Sequence, residues 1–235
     1  MNNNLSAEKS LSSWTQGINF EVEWWDEWCQ RIQVESPKWF GFRTQYDSSL
    51  QDEFINLLDV PATGTANILD VGAGPLTTIG KIWKGRDVKI TAIDPLAEAY
   101  DLMLLKHHIE PPVRTLYGMA ESLTQNYPKN YFDLVHAHNS LDHSFDPVRG
   151  IHEMLQVVKP ECSVYLRHAQ NEGKNASYVG FHQWNFYLEK GDFFIEGYNK
   201  VINVSELFVK IAFSQTYLDE KGKVITIFKK NYPGS

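Results

Sequence analysis

The stretch "HAHNSLDHSFDP" (His136–Pro147) sets His136, His138 and His143 within eight residues, beside two aspartates. Imidazole, with an unperturbed pKa of about 6.5, exchanges protons near neutral pH and also ligates metals. On a strand His136 and His138 share one face, because side chains alternate. His136 reads as the inner, packed one, and His138 lies nearer the strand end. His143 falls in the loop beyond. A second polar set follows, with His168, Asn171 and Glu172 and then "GFHQWNF", which supplies His182, Gln183, Trp184 and Asn185. Planar amides pair with vicinal hydroxyls, and an indole face covers the apolar side of a sugar ring. His168, Glu172 and His182 are acceptable metal-ligand types, but there is no H-x-x-x-H and no cysteine pair, so no metal is expected.

What positions these residues is an alternation of strands and helices. "NILDV", "VKITAID", "VRTLY", "FDLVHAH" and "SVYLRHA" read as five strands, apolar enough to be covered on both faces. Helices are expected over Pro75–Trp83, Leu96–His107 and Pro147–Val158, the last with Asp146 as N-cap and Pro147 in the first turn. The pattern implies an α/β, Rossmann-like doubly wound sheet. "IAFSQTYLDEKGKVITIFKK" reads as an antiparallel hairpin added to its edge. Residues 61–235 form this domain, with 171–203 as a substrate-side insertion. Residues 1–60 form a helical, aromatic-rich cap joined through Pro61-Ala-Thr-Gly64.

"ILDVGAGPLT" is a strand running into a glycine loop that is expected to open a helix. A dinucleotide fingerprint would carry a third glycine where Thr77 stands, which argues against an NAD enzyme. Asp70 precedes the loop, and a carboxylate there repels a pyrophosphate while suiting a ligand with a cationic end. Asp94 closes the second strand, twenty residues after Gly74. An acid at that position accepts ribose hydroxyls. Together these point to S-adenosyl-L-methionine (SAM), whose amino and sulfonium groups are cationic.

In this order, "ILDVGAGPLT", "AIDPLAEAY", "GMAESL" and "FDLVHAHNSLDH" resemble the successive motifs of class I SAM-dependent methyltransferases, of the type 11-like kind. The resemblance covers roughly 67–169 and implies the same fold with its C-terminal hairpin. It implies that Asp70, Gly72 and Gly74 lie by the methionine part and that Asp94 binds the ribose. Pro95 and Leu96 would pack near the adenine, Ala120 and Glu121 would stand at its edge, and Asn139 would lie beside the ligand. His143 matches the histidine of an "LxHxxD" pattern seen in small-molecule methyltransferases. "DPLA" with "NEG…GFHQWNF" also resembles enzymes often encoded among polysaccharide biosynthesis genes.

The expected reaction is O-methylation of a sugar, nucleotide-sugar or related polar small molecule. His143 is the expected base, His168 and Glu172 are further catalytic candidates, and His138, His182, Gln183, Trp184 and Asn185 bind substrate. Alternatives are a nitrogen, carbon or carboxylate acceptor, or a non-catalytic SAM-binding protein. Nucleic acid is disfavoured by the net charge of −7 and by "HNSL" in place of an Asn-Pro-Pro-Tyr/Phe motif. No apolar run is long enough for a bilayer, and "MNNNLSAEKSLSSW" lacks the features of a signal peptide. Cys29 and Cys162 make no disulfide framework, so a cytoplasmic setting is expected. "FEVEWWDEWCQRI" continues into "ESPKWFGFRTQY", an aromatic supply that suits a lid over the cofactor cleft, a helix packed on the sheet flank, or a homodimer interface. Arg43 and Tyr46 are candidates for contact with a charged acceptor or the SAM carboxylate.

Overall fold

The computed structural model describes residues 2–232 apart from 62 and 198, and gives only the backbone for 2–16. The expected linker residue Ala62 and the Trp14 side chain therefore lie outside the described residues. The chain begins with helices α1 (Asn2–Glu35), α2 (Pro37–Thr44) and α3 (Asp52–Ile55). Strands β1 (Thr65–Val71) and β2 (Asp87–Asp94) lead into α4 (Ala97–Lys106), then β3 (Thr115–Tyr117) and β4 (Phe132–His138). Helix α5 (Pro147–Val157) precedes β5 (Val158–His168) and α6 (Glu172–Asn175). Strands β6 (Asn185–Glu189), β7 (Asp192–Gly197) and β8 (Lys200–Asn203) are followed by α7 (Val204–Phe208), β9 (Ala212–Leu218) and β10 (Val224–Lys230).

Seven strands form one sheet in the order β3-β2-β1-β4-β5-β10-β9. The first five are parallel, and the β9–β10 hairpin joins β5 antiparallel, as expected. Strands β1 and β4 are buried nearly throughout, which is why they read as continuous apolar runs. Asp146 caps α5 by accepting from the Arg149 amide at 3.1 Å, with Pro147 at the first helical position. The insertion after β5 is more regular than its polar sequence suggests, since β6, β7 and β8 make a separate antiparallel sheet. Its Phe186, Phe193 and Ile195 join the core under α5 and the hairpin.

One expected helix is absent. Residues 75–83 are irregular, because their backbone groups bond to the N-terminal segment instead. Gln51 accepts from the Gly80 amide at 3.0 Å and donates to the Thr78 carbonyl at 2.7 Å. The Ser48 carbonyl accepts from Lys81 and Ile82, and Arg43 donates to the Leu76 carbonyl. A helix over these residues would have to give up those long-range bonds. The third strand is also shorter than expected, starting at Thr115 after the Pro111-Pro112 pair, which has no amide to donate.

Candidate functional site

The C-terminal ends of β1, β2 and β4 open on one cavity of about 850 Å³. This is the edge at which α/β sheets bind ligands. One half of the cavity is the glycine loop. Gly72 and Gly74 have φ of +66° and +64°, a left-handed conformation that glycine adopts at least cost. A Cβ on Gly74 would lie 2.8 Å from the Trp25 ring, and one on Gly72 would strike Ser140. Asp94 faces this loop, accepting from the Gly74 amide at 3.1 Å on one oxygen and from the Leu96 amide at 2.9 Å on the other. Each oxygen keeps one lone pair, enough for a diol. Burial pushes the Asp94 carboxyl up to about 7, against the pull of those two amides.

The other expected cofactor residues, Asp70, Pro95, Leu96, Ala120, Glu121 and Asn139, also line the cavity. Asp70 is committed within the fold, however. Its two oxygens meet Thr77 Oγ1 at 2.5 Å and His136 Nδ1 at 2.7 Å, and both Asp70 and His136 are buried. His136 is thus the packed inner histidine. Glu121 accepts from the Phe145 and Asp146 amides, holding the loop after β4 against the strand 3 side.

The opposite half gathers His138, Asp142, His143, Glu172 and His182. His143 Nε2 lies 3.1 Å from His182 Nδ1 and 3.3 Å from Asp142 Oδ2, and His182 Nδ1 lies 3.0 Å from the same oxygen. Burial alone would raise the Asp142 carboxyl, but the charge of His143 and the bond from His182 prevail and hold it down at about 2. Burial works against a charged His182 as well, yet its bond to Asp142 leaves its pKa above the usual imidazole value. His138 is pushed down to about 2, chiefly by burial and then by His136, and stays neutral.

Several expected site residues turn away. His168 is 1 % exposed and does not line the cavity. Its ring nitrogens have no hydrogen-bond partner, Nδ1 lies 4.0 Å from Asp142 Oδ1, and burial holds its pKa down at about 3. Gln183 donates to the Tyr178 and Gly180 carbonyls, and Trp184 to the Ser144 carbonyl at 2.8 Å. Asn185 is fully buried between the Lys174 amide and the Tyr178 hydroxyl. These three brace the insertion and the loop after β4 and lie outside the cavity lining, with the Gln183 Nε2, Trp184 Nε1 and Asn185 amide groups bonded to backbone and Tyr178. Tyr46 is exposed and lies outside the cavity lining.

Helix α1 forms the remaining wall. Phe20, Glu21, Trp24, Trp25 and Trp28 line the cavity, with Trp39 and Arg43 from α2. Trp25 and Trp28 pack on the core beside α4 with Tyr100, whereas Trp24 is 43 % exposed. The Arg43 guanidinium sits 5.3 Å from Trp25 and 5.0 Å from Trp28, and burial lowers it to about 10. Glu21, which the sequence reading missed, accepts from Trp25 Nε1 at 2.9 Å and turns its other oxygen toward His143. Asp142 was also missed as a site residue, although it adjoins His143 in the histidine-rich stretch. Arg167, Lys221 and Lys223 add positive charge at the far side.

The open glycine backbone, the free lone pairs of Asp94 and the adjoining apolar wall of Leu96 and Trp25 fit SAM. Comparison with known proteins agrees with this geometry. Residues 69–166 match a family model described as a methyltransferase domain. A Methanococcus maripaludis protein described as a SAM-dependent methyltransferase shares 15% identity and a TM-score of 0.52, over 90% of this chain and 92% of that one. The citrinin polyketide synthase CMeT domain gives 12% and 0.54 over 77% of this chain, and the CurJ carbon methyltransferase 12% and 0.52 over 73%. The chain spans 50% of the length of each of those two. At these identities the likeness is one of fold. No curated protein sequence matches significantly. Among the described residues no helix is long and apolar enough to cross a membrane. Residues 69–166 are matched as a methyltransferase domain, and the strand order and loop geometry around them agree with the Rossmann-like fold of the methyltransferase structures it resembles.

Proposed function

We propose that this chain binds SAM and methylates a hydroxyl of a sugar, nucleotide-sugar or related polar small molecule. The observation that carries the reading is a single cavity with two unlike halves. Gly72, Gly74 and Asp94 stand on one side, and Asp142, His143, Glu172 and His182 on the other. SAM supplies a methyl carbon activated by its sulfonium. The chain's task is to align the acceptor and take its proton. On the cofactor side, Asp94 accepts the ribose hydroxyls and Gly74 lets the methionine end lie against backbone, where a side chain would collide with Trp25. Leu96, Ala120 and Glu121 shape the adenine end.

On the acceptor side, an alcohol is a poor nucleophile until its proton is drawn off. That work falls to the Asp142–His143–His182 cluster with Glu172 beside it. Trp24, Trp25 and Phe20 from α1 cover the cavity and exclude water, which strengthens each polar contact within. Arg167, Lys221 and Lys223 favour an acceptor carrying an anionic group, and a nucleotide-sugar meets that demand. Arg167 is already paired with Asp219 at 2.5 Å, so the two lysines are the freer charges.

The test is transfer of labelled methyl from SAM to a panel of nucleotide-sugars and free glycans. A labelled ether product, reduced at least a hundredfold in His143→Ala while SAM affinity holds, supports the reading. A labelled ester formed equally well by His143→Ala overturns the hydroxyl acceptor, because a carboxylate has no proton to lose.

A further inference from the structure

Three ligand-type atoms meet at one point of the cavity wall: His143 Nε2, His182 Nδ1 and Asp142 Oδ2, separated by 3.0 to 3.3 Å. Metal bonds of about 2.1 Å set neighbouring ligand atoms about 3.0 Å apart at right angles and about 3.4 Å apart at tetrahedral angles. The observed triangle falls within that span. We infer that Asp142, His143 and His182 hold a divalent transition-metal ion, with two imidazoles and one carboxylate on one face and the remaining positions open to the cavity.

Protons alone satisfy this triangle poorly. If both nitrogens carry hydrogen and donate to Asp142, two N–H groups confront each other across 3.1 Å. If one nitrogen is bare, its lone pair faces the carboxylate. One edge is unfavourable in either case, whereas a cation satisfies all three. The surroundings suit a ligand set as well. Asp142 is 4 % exposed and fixed in place, while both imidazoles reach the cavity. His143 Nδ1 faces Glu21 Oε2 at 3.8 Å, and an outer carboxylate of this kind orients a ligating histidine.

The existence of the site is independent of the proposed methyl transfer; its role rests on that reading. An acceptor hydroxyl enters an open coordination position, which lowers its pKa, and gives its proton to the Glu172 carboxylate. The oxygen lone pair forms the new bond to the methyl carbon as the carbon–sulfur bond breaks, and that bond's electron pair stays on sulfur. An ether and S-adenosylhomocysteine result, and Glu172 returns its proton to water. His143 is then a ligand rather than a free base.

The test titrates chelator-stripped full-length protein with Co²⁺ alone, following visible d–d absorption and the ion bound at equilibrium dialysis. One Co²⁺ per chain is expected. Affinity should fall at least a hundredfold in His182→Ala and in His143→Ala, with circular dichroism confirming that each remains folded, and hold in His152→Ala on the exposed face of α5. Absence of bound Co²⁺ in folded protein, or binding indifferent to both cluster variants, overturns the inference. Labelled methyl transfer by cation-free protein at the undiminished rate overturns the ion's role in the reaction and leaves the proposed reaction standing. Co²⁺ binding with no SAM binding upholds the site and removes the reaction.

Discussion

Glu21, a little past the middle of α1, holds Oε2 at 3.8 Å from Nδ1 of His143 in the loop beyond β4. Its other oxygen accepts from Trp25 Nε1, the indole that lies over Gly74. One carboxylate thus links the N-terminal helix to both halves of the cavity. Glu21→Ala should lower kcat/KM for methyl transfer about tenfold, the loss of about 1.4 kcal/mol of positioning. The fall should be mostly in kcat, as read by steady-state kinetics.

Asp94 yields a pH dependence whose sign is fixed by its environment. Burial raises its carboxyl to about 7, and ribose hydroxyls donate to the ionised form. Below pH 7 the protonated form dominates, so SAM affinity should fall, by about tenfold per pH unit. Above pH 8 it should level off. Isothermal titration between pH 5.5 and 8.5 checks this, and binding that strengthens toward acid would count against Asp94 as the ribose acceptor.

Gly74→Ala combines a left-handed φ of +64° with a Cβ 2.8 Å from a Trp25 ring that is itself packed against Trp24, Trp28 and Tyr100. The ring has little room to give. A stability loss of about 2–3 kcal/mol is expected, from backbone strain and overpacking together. Thermal unfolding would record it, along with at least a tenfold loss of SAM affinity.

His168 provides the contrasting case. It is buried beside the Phe186 ring, with neither nitrogen hydrogen-bonded and Nδ1 4.0 Å from Asp142 Oδ1. His168→Phe removes a buried polar group that makes no hydrogen bond and gives up only a 4.0 Å approach to Asp142, so it should change stability by no more than about 2 kcal/mol. Methyl transfer should stay within a few-fold of the original. A loss comparable to that of His143→Ala would mean that His168 acts in catalysis.

Lys221 and Lys223 sit at the hairpin turn on the cavity's far side. Replacing both by alanine should raise KM for a nucleotide-sugar about tenfold and leave KM for an uncharged sugar unchanged, since only the former presents phosphate charge. Kinetics with paired acceptors would separate the two.

The parallel core was legible because each of its strands carries its own signal. β1 and β4 are apolar along their length, and Asp146-Pro147 announces α5 locally. Gly72, Gly74 and Asp94, expected on the cofactor side, come together at one cavity because they follow or end the neighbouring strands β1 and β2. The segment from Pro75 to Trp83 misled because what decides its shape is distant. Arg43, Ser48 and Gln51 take its backbone groups, and no periodicity within the segment reports them. Gln183, Trp184 and Asn185 misled in a related way. Their types suit a sugar, but Tyr178, Gly180, Ser144 and Lys174 claim their polar atoms first. Trp25 rather than Trp24 covers the glycine loop, a choice set by how α1 packs beside α4. Asp142 was in plain view beside His143, yet its pairing with His182 depends on an insertion 40 residues later.

The most direct measurement is calorimetric titration of the folded, full-length protein with SAM and with S-adenosylhomocysteine, beside Asp94→Ala. The account predicts micromolar binding of both at one site per chain, weakened at least a hundredfold in the variant. No binding of either by folded protein, or equal binding by Asp94→Ala, would contradict it.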